Sequence, residues 1–131
     1  MSNTEFDISA IAPSTRTFEI LHPGTGAGLD IFVTVLSLDD EKMKKIQRRL
    51  TDRLLEMRPK NKSMTAEENE TNQINLLVEA ITDWEWRNKA NYKGTKPPCD
   101  VANVKAVLSD LVWFRKQVDE QVGDTESFFR N

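Results

Sequence analysis

The chain has 131 residues, 38% of them hydrophobic and 30% charged, with a net charge of −3. That balance fits one globular domain with a thin core and excludes a wholly disordered chain. One histidine, His22, and one cysteine, Cys99, argue against zinc sites, against Ser-His-Asp or Cys-His catalysis, and against an intramolecular disulfide.

No window approaches eighteen consecutive apolar residues, so no transmembrane helix is expected. No basic stretch followed by an apolar run opens the chain, so the expected compartment is the cytosol. The charge is unevenly spread. Residues 39–62 hold nine Lys/Arg against five Asp/Glu, a balance of +4, which leaves −7 for the remainder.

Residues 1–14 show no hydrophobic period and read as a flexible arm. A single domain is expected over 15–131. Residues 15–21 are rich in strand formers. The turn-dense run His22-Pro-Gly-Thr-Gly-Ala-Gly28 follows, and then Leu29 to Leu36, with Leu29, Ile31, Val33 and Val35 on one face. Together 15–36 predict an antiparallel hairpin. Because a lone hairpin is only marginally stable, it should pack on helices or pair with another chain.

Ser37 or Asp39 can cap a helix over about 40–58. Met43, Ile46, Leu50, Leu54 and Met57 form its apolar stripe, and Lys45, Arg48, Arg49 and Arg53 fall on the remaining surface. Pro59 should stop it, and Lys60 to Ser63 should be a polar linker. Thr65 and Glu68 have capping-box spacing for a helix over about 65–86, with Ile74, Leu77, Val78, Ile81 and Trp84 on one face. A loop with Gly94, Pro97 and Pro98 separates it from a helical region over 100–122, capped by Asp100 and stopped by Gly123. Whether that region is one helix or two is open from sequence. The expected class is α+β, mainly α-helical: an N-terminal β-hairpin followed by a bundle of about four helices.

The glycines at 24–28 lack the lysine and the following helix that a phosphate loop needs, so they read as a hairpin connection. The carboxylates show no pairing that marks acid–base chemistry. No catalytic, cofactor-binding or metal-binding residue is expected. The basic helix suits an acidic protein partner better than nucleic acid, because the chain is acidic overall and has no recognisable nucleic-acid motif. Aromatics come in close pairs: Trp84 with Trp86, Trp113 with Phe114, and Phe128 with Phe129. On a helix, neighbours diverge by about 100°, so at least one member of each pair should be partly exposed or at an interface. The expected partner-binding residues are therefore Lys45, Arg48, Arg49, Arg53, Trp84, Trp86, Trp113, Phe114, Phe128 and Phe129.

Five segments in this order resemble one family: Phe18 to Gly26, Ala80-Ile-Thr-Asp-Trp84, Gly94-Thr-Lys-Pro97, Asn103 to Leu108, and Trp113 to Phe129. Spanning about 15–131, they resemble the tail assembly chaperones of long-tailed (siphovirus, lambda-like) bacteriophages. Asp83 departs from that pattern, where glycine is common. The resemblance implies a non-enzymatic protein of the host cytoplasm, absent from the finished virion. It implies binding to the tail tape measure protein and help in tail tube assembly, with tube protein engaged through a frameshifted longer form. A homo-oligomer is compatible with it. The alternatives are a structural head–tail connector or tail completion protein, and a small nucleic-acid-binding regulator.

Overall fold

The computed structural model describes residues 7–57 and 65–129. The first six residues of the expected arm, the Pro59 stop and the Lys60 to Ser63 linker lie outside the described residues. The elements in chain order are β1 (Arg16–Leu21), β2 (Gly28–Val35), α1 (Glu41–Met57), α2 (Ala66–Ala80), β3 (Ile81–Trp86), α3 (Val101–Asp110) and α4 (Val112–Gly123). Short 3-10 turns lie at Ile8–Ala10 and Thr125–Phe129. The fold is α+β and mainly helical, with the hairpin near the N-terminus.

The hairpin forms as its alternation requires. Phe18 and Ile20 of β1 and Ile31, Val33 and Val35 of β2 are buried on one face. Its turn is held from within: the His22 Nδ1 accepts the N–H groups of Gly24 and Thr25 at 3.0 and 3.1 Å. Gly26 sits at φ 75, a left-handed conformation that glycine adopts without a Cβ penalty.

The hairpin is completed by β3, which pairs antiparallel with β2 and gives the order β1-β2-β3. This corrects the helix expected over 65–86. The helix ends at Ala80, and Ile81-Thr-Asp-Trp-Glu-Trp86 is a strand. Ile81 still donates its N–H to the Leu77 carbonyl, so one residue serves as helix cap and strand start. Its side chain and that of Trp84 match a helical spacing, but β-branched and aromatic residues suit the open edge of β2. The β2–β3 register shifts between Thr34 and Val35. That bulge brings Ile81, Trp84 and Trp86 all to the buried face despite their mixed parity.

The helices cover that same face. Ile74, Leu77 and Ala80 of α2, Val104, Val107 and Leu108 of α3, and Phe114, Val118 and Val122 of α4 join the sheet in one core, with Met43 and Phe128. Thr65 caps α2 through the Glu68 N–H at 3.1 Å, and Asp100 caps α3 through the Asn103 N–H at 2.8 Å, both as expected. The cap of α1 is corrected to Asp40, whose carboxylate accepts the Lys42 N–H at 2.9 Å; Ser37 instead accepts from Asp39. The region after Asp100 is two helices, broken at Leu111, where φ −108 and ψ 89 leave the helical range. Gly123 is the last residue of α4, and Asp124 caps it, one residue later than expected.

Candidate functional site

The ten expected partner-binding residues divide into two groups. Lys45, Arg48, Arg49 and Arg53 are all exposed along α1. They span about 140° of arc at 100° per residue, bordering the apolar stripe on one side, where Arg53 lies about 20° from Ile46. None of the four forms an ion pair among the described residues. The cations at the start of the helix behave differently: Lys42 reaches Glu79 at 3.1 Å, and Lys44 reaches Glu41 at 3.9 Å.

The apolar stripe of α1 outruns the core. Met43 is fully buried and Ile46 and Leu50 are half-buried, but Leu54 on the same stripe is 42% exposed. Leu55, 52% exposed, lies on the other side of the helix, next to Arg48 by helical spacing. The second half of α1 thus carries uncovered leucines beside unpaired cations. Between α1 and α2 runs a groove of about 310 Å³, lined by Ile46, Leu50, Leu76 and Val78 with Arg49 among its walls.

The aromatics are mostly core. Trp84 and Trp86 are both buried, because residues two apart on a strand share a face. The expectation that one of them is exposed rested on a helix that is not there. Phe114 and Phe128 are fully buried, while Trp113 is half-buried and Phe129 is exposed, so in those two pairs the members do diverge. Trp84 and Trp86 meet edge to face at 5.5 Å, and Phe114 stacks on Trp86 at 6.3 Å. The Trp84 Nε1–H donates to the Pro97 carbonyl at 2.8 Å. Among the described residues, the buried Trp86 Nε1–H has no acceptor.

Trp86, Trp113 and Phe114 also form walls of an open groove of about 480 Å³ at the hairpin-turn end of the sheet. Tyr92, Leu29, Leu111 and Lys89 are its other principal walls, and none of these was expected from sequence to bind a partner. The available signal is in the charge pattern: between Trp86 and Cys99 the chain has four basic residues, Arg87, Lys89, Lys93 and Lys96, and no acid. Lys96 is spent inside the fold, donating to the carbonyls of Trp86 and Asn88. Arg87 pairs with Glu85 at 2.9 Å and lies over the Phe32 ring.

The remaining polar residues have local tasks. Burial pushes the Cys99 thiol up, which disfavours its thiolate. Arg115, nearly buried, pairs with Glu70 at 3.0 Å and ties α4 to α2. The Gln117 amide accepts from the Leu21 N–H at 2.8 Å and donates to its carbonyl at 2.7 Å, occupying part of the β1 edge. Among the described residues, no group of three or more His, Cys, Asp or Glu is placed to hold a metal ion. No helix among them is long and apolar enough to cross a membrane. Compared with known proteins, the chain matches no family, no curated protein and no solved structure.

Proposed function

We propose that this chain is a tail assembly chaperone of a long-tailed bacteriophage. In this reading it acts without catalysis, binding the tape measure protein and assisting tail tube assembly in the host cytoplasm. The reading is supported by the ordered resemblance over 15–131. The observation that carries its binding step is the second half of α1, where Arg48, Arg49 and Arg53 are unpaired among the described residues and Leu54 and Leu55 are uncovered. A helical client must be held by apolar contact, and opposite charge speeds encounter and fixes register.

Co-expression of the tagged chain with overlapping segments of the tape measure protein from the same genome tests it. The wild type should retain at least one segment through purification. A variant with Arg48→Glu, Arg49→Glu and Arg53→Glu should lose it while keeping its circular dichroism, since all three residues are exposed. A folded wild type that retains no segment would overturn the reading.

A further inference from the structure

Ile8 and Ile11 on the N-terminal arm are 74% and 54% exposed. The 3-10 turn that carries them is ordered from within. Asp7 caps it by accepting the Ser9 N–H at 2.9 Å, and the Ile11 N–H donates to the Ile8 carbonyl at 3.2 Å. Residues three apart in such a turn fall on one side, so the two isoleucines project together. From Ile8 to Thr15 the arm carries no charge. Leu54 and Leu55 are also exposed, but they lie between Arg53 and Glu56 and diverge around α1.

The groove between the hairpin turn, the 88–96 loop and the start of α4 matches the arm in character. Leu29, Tyr92, Leu111 and Trp113 are half-buried walls, and the buried Trp86 is another. Two cations stand beside it: Lys89 lines the groove, and the Lys93 Nζ lies 5.3 Å from the Tyr92 ring centroid. Two carboxylates offset them. Asp110 accepts from the Tyr92 hydroxyl at 2.8 Å, and Asp30 accepts from the Asn88 amide at 3.2 Å. A charged segment of either sign meets repulsion from one of these pairs, whereas an uncharged apolar segment meets none. The arm cannot seat its isoleucines in its own groove. Ser14 anchors it at the other end of β1, its N–H and Oγ donating to the Phe128 carbonyl at 2.9 and 3.0 Å. From Arg16 to His22, on the groove wall, the chain covers about 20 Å by the usual strand rise, and from Ser14 back to Ile11 only about 10 Å.

We infer that the arm of one copy docks in this groove of a second copy, seating Ile8 and Ile11 against Leu29, Tyr92 and Trp113. Reciprocal exchange of arms closes a two-fold pair. The contact uses no residue of α1, so it stands apart from the proposed function.

Sedimentation equilibrium of the full chain tests it. The wild type should form a dimer that does not weaken between about 0.1 and about 1 M NaCl, because the contact is uncharged. Ile8→Asp with Ile11→Asp should raise the dimer Kd at least about tenfold. This arm variant should fold normally, because both residues are exposed. Trp113→Ala should weaken the dimer likewise, with far-ultraviolet dichroism unchanged. Mixing the two variants should restore a heterodimer weaker than the wild type, in which the intact arm of one fills the intact groove of the other. A capped peptide of residues 7–14 should dissociate the wild type. A wild type that stays monomeric at about 1 mM, where even near-millimolar contacts are populated, would overturn the inference. So would a dimer that the arm variant leaves intact, a mixture that stays monomeric, or a dimer lost in salt or on Arg48→Glu, Arg49→Glu and Arg53→Glu. Arm-dependent dimerisation in a chain that captures no tape measure segment would count against the proposed function alone.

Discussion

Trp113 and Phe114 are adjacent in sequence and have opposite fates. Phe114 has no exposed surface and contacts both Trp84 and Trp86, whereas Trp113 turns half outward onto the groove. Phe114→Ala should therefore cost about 3–5 kcal/mol, the range for removing a buried aromatic ring. Trp113→Ala should cost below about 2 kcal/mol, because part of its ring is already in water. Urea unfolding of both variants reads the difference, and equal midpoints would contradict the assignment. This divergence was legible in the sequence, since neighbours on a helix cannot share a face. That of Trp84 and Trp86 was not. Both point inward because the segment is a strand, and sequence periodicity there favoured a helix.

At the scale of elements, local chemistry decided most boundaries. The hairpin, the stripe of α1 and the caps of α2 and α3 follow from alternation, helical spacing and side-chain oxygens placed before a first turn. Thr65→Ala should cost about 1 kcal/mol by orphaning the Glu68 N–H, read as a lowered thermal midpoint. A midpoint equal to the wild type would show that the cap contributes nothing. The strand β3 was illegible for a physical reason. Ile74, Leu77, Val78, Ile81 and Trp84 continue one helical face across a junction set by tertiary pairing with β2. Only the requirement that a hairpin be completed pointed to a missing partner. The aromatic groove was hidden in the same way: its walls come from β2, β3, the following loop and α4, which no local pattern joins.

For the whole molecule, the division of labour follows from where the core ends. One face of a three-stranded sheet and three helices, α2, α3 and α4, supply nearly all of the buried apolar side chains, Met43 and Phe128 being the exceptions. The fourth helix, α1, is fastened by Met43, by Gln47 donating to the Leu38 carbonyl at 2.8 Å, and by the Lys42–Glu79 pair, all in its first half. Its second half carries the basic face with little packing to hold it. Elements with few buried contacts open readily, and they are the ones a partner can stabilise. Hydrogen–deuterium exchange of the chain, alone and with a captured tape measure segment, tests this most directly. Alone, amides over 48–57 should exchange faster than those of α2; with the segment bound they should become protected, while α3 and α4 change little. Protection confined to other elements, with 48–57 unchanged, would contradict the assignment of α1 as the client-binding surface.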